Sequence, residues 1–367
     1  MQNIKLFNDK KKYINFIVKI AGNFCNLDCA YCYEKNKNIP SGLVSVQELE
    51  SLIKNTDGAC SILLHGGEPL TAGLEHMDAM LNMLRKYINN KVLAVKVQTN
   101  AVLLSERWLE LLFNKYSDLA IELSLSIDGS ETMNYLRQDF NKKNSFKSVY
   151  KSIMLLERYK IKFGVLSVVS KNSLNYARDY IDFIKSIKNI RFIKLNALFN
   201  VINNKLTRES ITPREFAEFI IETAKYYIFE KLYERFPFEP LLGILQRINN
   251  KESLFCNYSG YKCLNFISVY PGGMLAACDG LSANDFRINI NNNLKINEIL
   301  VKEAEHNKKF EELNKLTAFC ENCDIKDFCM AGCLLQRFYF RNNKDLSEDF
   351  CNSKHLLFNA FKNFKLN

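Results

Sequence analysis

The chain has 367 residues, 47% hydrophobic and 25% charged, an ordinary globular composition with enough apolar material for one large domain plus a smaller one. No stretch approaches the roughly 18 uninterrupted apolar residues a membrane helix needs, and the basic segment from Met1 to Lys12 lacks the apolar core of a signal peptide. The formal charge of +10 is scattered over positions such as Lys151, Arg158, Lys160, Lys162 and Lys171, with Lys10-Lys11-Lys12 as the one run, so solvated helix faces explain it better than a nucleic-acid partner.

Twelve cysteines in a chain of this size, with no signal peptide before them, read as reduced, metal-binding and cytoplasmic rather than disulfide-bonded. An acidic peptide partner is compatible with the charge but is not shown by it.

From residue 13 to residue 198 short apolar runs alternate with helix-period stretches. Strands are predicted over residues 14–20, 61–64, 93–97, 120–126, 163–169 and 191–195. Amphipathic helices are predicted over 46–53, 77–87, 106–114, 146–159 and 175–187. Continuous Val/Ile/Leu runs of this kind belong to parallel strands covered on both faces. Six such units make a partial (β/α)6 barrel, whose ligand site lies at the C-terminal ends of its strands. The polar motifs obey that geometry. A loop carrying Cys25, Cys29, Tyr31 and Cys32 follows the first strand, and Gly66-Gly67-Glu68-Pro69 the second. Gln98-Thr99-Asn100 follows the third and Ser126-Ile127-Asp128-Gly129 the fourth.

Three thiols at C-x3-C-x2-C spacing can converge on one metal centre. Zinc would need a distant fourth ligand to close its tetrahedron. A cubane iron–sulfur cluster on three thiolates leaves one iron open, and the spacing favours it. With Gly66-Gly67-Glu68 downstream, the Cys25–Cys29–Cys32 loop resembles the radical S-adenosylmethionine (radical SAM) superfamily, in which the open iron chelates the methionine amino and carboxylate groups of SAM. The resemblance implies that Tyr31 lies against adenine and that Gly66, Gly67 and Glu68 hold the ammonium. Ser126 and Arg137 match positions that hold the methionyl carboxylate or the ribose. Gln98 and Asn100 line the same rim, toward SAM or substrate. Asp128 reads either as part of this site or as the acceptor of a strand-end turn.

Thr212-Pro213-Arg214-Glu215 opens a long helix with a capping box. Pro237 and Pro240 punctuate the chain, dividing it into a barrel, residues 1–240, and a second domain, residues 241–367, that ends in a helix. Beyond that boundary lie Cys256, Cys263, Cys278, the block Cys320-x2-Cys323-x5-Cys329-x3-Cys333, and Cys351. A zinc ribbon would leave several of these thiols unemployed. Residues 266–270, the Pro271-Gly272-Gly273 turn and residues 274–278 read as a β-hairpin, and the whole arrangement resembles the SPASM extension of radical SAM maturases. That resemblance implies two auxiliary [4Fe–4S] clusters. Cys256, Cys263, Cys278 and Cys333 would hold the first, and Cys320, Cys323, Cys329 and Cys351 the second. With the SAM-binding cluster this makes three, and Cys60 is left as a core thiol.

Asp279 follows Cys278 directly and reads either as a turn residue or as a general base that deprotonates the substrate while an auxiliary cluster accepts an electron. The match here is to the anaerobic sulfatase-maturating enzymes, which oxidise Cys or Ser to formylglycine. It extends to residues 211–213, 286–288 and 337–338. Three departures fall near the substrate side: Glu34 where a second tyrosine is usual, Met133 where His is common, and Leu334-Leu335-Gln336 in place of a more polar segment. Only 24 residues precede Cys25, too few for the leader-binding domain of some related maturases, which implies a separate recognition protein or direct reading of the target. A flavodoxin- or ferredoxin-type donor would supply electrons. The expected function is therefore oxidative modification of a peptide or protein side chain, as formylglycine, a thioether or a carbon–carbon crosslink. The alternative is a SPASM dehydrogenase acting on a small molecule such as a sugar or cyclitol. A non-catalytic iron–sulfur scaffold is disfavoured by the intact Cys and Gly-Gly-Glu motifs.

Overall fold

The computed structural model describes residues 5–7, 13–35, 37–290 and 294–364. The Lys10–Lys12 run and residues 291–293 of the Asn-rich turn lie outside the described residues. Six strands alternate with helices: β1 (Tyr13–Lys19), β2 (Ala59–His65), β3 (Val92–Thr99), β4 (Glu122–Ser126), β5 (Phe163–Val169) and β6 (Ile190–Ala197). Each pairs in parallel with the next. The covering helices include Val46–Asn55, Leu74–Arg85, Phe146–Arg158 and Ala177–Ser186. All six predicted strands and these helices lie where the apolar periodicity puts them, with ends moved by a few residues. The predicted helix over 106–114 differs: one α-helical turn, Glu106–Leu109, widens into the π-helical segment Glu110–Lys115. It closes with a bond from the Tyr116 N–H to the Leu111 carbonyl (3.3 Å), while the Tyr116 hydroxyl is held by Asp78 (2.8 Å).

The six strands form an open, partial barrel. A two-stranded ribbon, β7 (Val201–Ile202) and β8 (Lys205–Leu206), follows β6, and β9 (Phe238–Glu239) then pairs in parallel with β6. At the other edge β10 (Phe266–Val269) lies parallel to β1, with Asn15 opposite Phe266 and Val18 opposite Val269. Its antiparallel partner β11 (Leu275–Ala277) and then β12 (Arg287–Ile288) complete a ten-stranded sheet. The expected division at residue 240 thus falls between β9 and the helix Leu241–Ile248. The hairpin beyond it returns to the first strand of the chain, and one apolar core runs from Ile14, Ile62 and Val165 to Phe286, Ile299 and Leu357. No helix among the described residues is long and apolar enough to cross a membrane.

The helix Pro213–Phe229 packs on Lys344–Phe361, the last helix, and starts as its sequence predicts. The Thr212 hydroxyl accepts from the Glu215 N–H (3.2 Å), and the Glu215 carboxylate accepts from the Thr212 N–H (2.9 Å). Thr212→Ala removes one half of this box and should lower unfolding stability by about 1 kcal/mol. Chemical denaturation of the anaerobic protein measures it, and an unchanged midpoint would show that tertiary packing alone holds the helix start.

Candidate active site and its thiols

The loop after β1 is strapped to the barrel rim by backbone. The Gly67 N–H donates to the Gly22 carbonyl and the Glu68 N–H to the Phe24 carbonyl, both at 2.9 Å. A Cβ on Gly67 would stand 2.0 Å from the Phe24 oxygen. Gly66 sits at φ +137°, in a region L side chains rarely adopt. The glycines therefore bring the chain onto itself, and this contact aims the thiol loop at the rim. On its other side, the Asp28 and Ala30 N–H groups donate to the Gln138 and Leu136 carbonyls at 2.7 and 2.8 Å.

Cys25, Cys29 and Cys32 are brought together on this loop. Burial pushes the Cys25 thiol up to about 12, and Glu68, Cys29 and Cys32 add to that push. Crowded thiols of this kind suit a shared metal centre, because coordination deprotonates them. Donors to sulfur are in place too: the Leu27 N–H at 3.4 Å and the Asn100 amide at 3.6 Å from Cys25 Sγ.

Glu68 is fully enclosed, and its carboxylate is largely occupied by the protein. Oε1 accepts from the Leu70 N–H (3.1 Å) and the Thr99 hydroxyl (2.5 Å), and Oε2 accepts from the Asn100 N–H (2.6 Å). A carboxylate offers about four acceptor positions, so these donors leave one, on Oε2. Burial raises Glu68 to about 7 despite these donors. Its first role is thus to tie the end of β2 to the end of β3, which Gly-Gly-Glu spacing does not reveal.

Tyr31, Asp128 and Arg137 form a buried relay. Arg137 Nη1 donates to the Tyr31 hydroxyl (2.8 Å), which donates to Asp128 Oδ2 (2.7 Å), while Asp128 Oδ1 accepts from the Val168 N–H (2.9 Å). Asp128 therefore both closes a strand end and holds Tyr31. Arg137 keeps its Nε buried without a partner. Ser126 ends β4, and Gln98 lies in β3 opposite Ser124. Met133 packs against Gly129, where a Cβ would meet its sulfur at 2.6 Å, so this departure is a core contact.

A second constellation joins the first strand to the hairpin. Lys19, buried at the end of β1, reaches Glu34 Oε1 (2.7 Å), Asp279 Oδ2 (3.1 Å) and His65 Nδ1 (3.1 Å). The Tyr33 hydroxyl donates to Asp279 Oδ2 (2.8 Å), and Lys37 donates to Glu34 Oε1 (2.8 Å) and to the Asp279 carbonyl. Burial alone would push Asp279 up, but the ammonium groups of Lys19 and Lys37 and the Tyr33 hydroxyl hold its carboxyl well below the usual range. Burial and Lys19 lower His65 to about 4, which leaves a neutral ring at pH 7. Glu34 Oε2 is buried without a partner.

The remaining thiols have one another as neighbours. Cys278 is coupled to Cys263 by a side-chain hydrogen bond, and Cys333 has Cys256 and Cys278 as electrostatic neighbours. Cys320 has Cys329, Cys351 and Cys323 as its neighbours. Cys60 is a fully buried core residue of β2.

Residues 20–191 match the radical SAM superfamily. Over 370 aligned residues the chain is 26% identical to the cysteine-type anaerobic sulfatase-maturating enzyme of Clostridium novyi, covering 96% of this chain and 94% of that one. The serine-type enzyme of Klebsiella aerogenes is 24% identical, over 90% of this chain and 83% of its own length. Among solved structures, anSMEcpe with bound AdoMet superposes with a TM-score of 0.78 at 25% identity, over 95% of this chain and 93% of that chain. Residues 20–191 are a radical SAM domain. S-adenosylmethionine and an iron–sulfur cluster are the cofactors of such a domain, and the three thiols, their N–H donors and the strapped loop suit them.

Several residues escaped sequence reasoning. Lys19 sits inside an apolar run and reads as a strand residue, and His65 directly follows the strand predicted over 61–64; only their place at strand ends hinted at a role. Lys37 carries no pattern. His355, four residues after Cys351 on one helix face, lies beside Cys323 and Asp324, and that spacing was the available clue. Gly67→Ala cannot keep the strap that positions the radical SAM loop. It should lose about four iron per chain together with SAM binding, as measured by iron analysis and isothermal titration. Full iron content would show that the strap is dispensable.

Proposed function

We propose that the chain is a radical SAM oxidoreductase that oxidises a side chain of a peptide or protein, with Cys25, Cys29 and Cys32 holding the SAM-binding cluster and two auxiliary clusters on eight of the other nine thiols, all but Cys60. The observation that supports this reading is the hairpin paired to β1, whose second strand leads into Cys278 and then Asp279, the latter hydrogen-bonded to Lys19 at the end of β1. The solved structure of anSMEcpe with AdoMet and the Cp18Cys peptide, with a TM-score of 0.76 to this chain, supports a peptide substrate. We assign residues 1–240 to radical generation and residues 241–367 to electron relay.

Bound SAM, once its cluster is reduced, supplies a 5′-deoxyadenosyl radical that takes one hydrogen atom from the substrate. Gly66, Gly67 and the remaining acceptor of Glu68 receive the ammonium, and Ser126, Gln98 and Asn100 complete the rim. Arg137 and Asp128 fix Tyr31 against the adenine side. The substrate then gives up a proton and an electron, so that it loses two hydrogens overall. Asp279 takes the proton. Its carboxylate is weakly basic beside Lys19 and Tyr33, and that suffices, because a substrate losing its second electron is strongly acidic. Auxiliary clusters held by Cys256, Cys263, Cys278 and Cys333 and by Cys320, Cys323, Cys329 and Cys351 would supply the acceptor for that electron. A flavodoxin- or ferredoxin-type protein supplies the reducing equivalent, in a reducing cytoplasm. The target is read directly or through a separate recognition protein. Glu34, where a second tyrosine is usual, makes this substrate pocket unlike that of the sulfatase-maturating enzymes.

Anaerobic incubation with SAM, reductant and Cys- or Ser-containing peptides tests the function by mass spectrometry. A loss of two hydrogens, or conversion to formylglycine, is expected; SAM turnover that oxidises only sugars or cyclitols would overturn the peptide reading. Reconstituted protein should hold about twelve iron and twelve sulfide. Replacing Cys25, Cys29 and Cys32 together by Ala should remove one third, and Cys60→Ala none. Bound zinc in place of the remaining iron would exclude the two auxiliary clusters. Asp279→Asn should keep all iron and still cleave SAM, yet lower product formation by about 10²–10⁴. The ratio of 5′-deoxyadenosine to product reads this directly, and a wild-type ratio with a wild-type rate would remove Asp279 from the mechanism.

A further inference from the structure

Three buried cations stand among the thiols of the second half, and none forms an ion pair with a carboxylate among the described residues. Arg337 is 7% exposed. Its Nη2 donates to Cys320 Sγ at 3.5 Å, its Nη1 to Cys351 Sγ at 3.8 Å, and its Nε to the Ala331 carbonyl at 2.5 Å. The guanidinium lies between the rings of Phe319 and Phe350, 4.8 Å from each centroid. Lys354, 8% exposed, rests over Phe350 at 5.0 Å and Tyr258 at 5.7 Å. Lys262, 2% exposed, donates to the Cys256 carbonyl at 2.9 Å. The opposing electrostatic neighbours of Lys354 are Cys329, Cys333 and Cys351; those of Lys262 are Cys256, Cys329, Cys333 and Cys263.

Cys329 of one thiol group and Cys333 of the other are thus electrostatic neighbours of both lysines. The chain between those two cysteines is built for this. Met330, Ala331 and Gly332 all adopt left-handed backbone, at φ +48°, +60° and +63°, which reverses the chain within three residues. Arg337 clamps that reversal through the Ala331 carbonyl. A Cβ on Gly332 would stand 2.7 Å from Phe350 Cζ and 3.3 Å from Lys354 Cε, so the missing side chain is what admits the ammonium stem. Buried cations without counter-charge are strongly destabilising. Clusters ligated by four thiolates each would supply it, and their reduction potentials depend on local charge and on hydrogen bonds to sulfur.

We propose that Arg337, Lys354 and Lys262 are positioning residues for electron transfer: they are the built-in counter-charges of the two auxiliary clusters, and they hold the cluster potentials high enough to accept the electron that substrate oxidation leaves behind. The inference rests on the assignment of the eight thiols to two clusters. Lys354 and Lys262, placed between the two groups, act on both; Arg337 acts on the group of Cys320 and Cys351.

The test uses full-length chain with Cys25, Cys29 and Cys32 changed to Ala, reconstituted anaerobically so that only auxiliary clusters titrate, and follows reduction by electron paramagnetic resonance at controlled potential. Lys354→Met should weaken electron uptake at least tenfold, a midpoint at least 59 mV more negative for a one-electron couple, whereas Lys354→Arg should stay within threefold of the parent. Unmoved midpoints in Lys354→Met with full iron would overturn the proposal. Should Lys354→Met fail to assemble its clusters, Lys354→Arg decides: assembly restored by charge supports the proposal, and failure of both assigns Lys354 to packing alone. A parent that holds zinc, or no auxiliary iron, would instead overturn the cluster assignment itself.

Discussion

β1 is hydrogen-bonded on both edges, and the rest of the structure depends on that. On one side it pairs along its whole length with β2, whose end carries His65 and the two glycines. On the other it pairs with β10, from a part of the chain some 250 residues away, as in the Asn15 amide bond to the Asn265 carbonyl at 3.1 Å. One strand therefore sets the register of the thiol loop, of the Gly66-Gly67-Glu68 strap and of the hairpin bearing Cys278 and Asp279. A slip of one residue in the β1–β10 pairing would turn each hairpin side chain to the opposite face of the sheet.

The charges at the rim are arranged around that strand. Lys19 is the last residue of β1 and is wholly buried, so its ammonium must find partners. It finds Glu34 from the thiol loop and Asp279 from the hairpin, and these more than offset the cost of its burial. Three segments remote in sequence are thereby held by one cation. The same logic recurs deeper in the second half, where Arg337, Lys262 and Lys354 are enclosed and carboxylates are replaced by thiols. In both places a buried charge fixes which segments lie together.

The departures from the relatives divide along this line. Met133 fills space against Gly129 and belongs to the core. Glu34 belongs to the charged network, bridging Lys19 and Lys37 while one oxygen stays without a partner. Met133 is thus a packing residue, whereas Glu34 is part of a buried ion network.

Local patterns were legible because they depend on near neighbours. The six strands follow from uninterrupted apolar runs, the Thr212 cap from four consecutive residues, and the thiol loop from spacing within eight positions. The rim location of Gly66-Gly67-Glu68 followed as well, since a motif directly after a parallel strand can lie only at its C-terminal end. The roles of single residues inside those motifs were not legible. Gly67 is required by Phe24, Glu68 is largely consumed by Thr99, Asn100 and Leu70, and Lys19 meets Asp279 only once β10 has paired with β1. By itself the sequence determined which elements form and which chemistry they carry, because hydrophobic period and ligand spacing are properties of short stretches. Only the tertiary structure decided which charges face one another, because burial and pairing across 260 residues of chain, as between Lys19 and Asp279, set their partners.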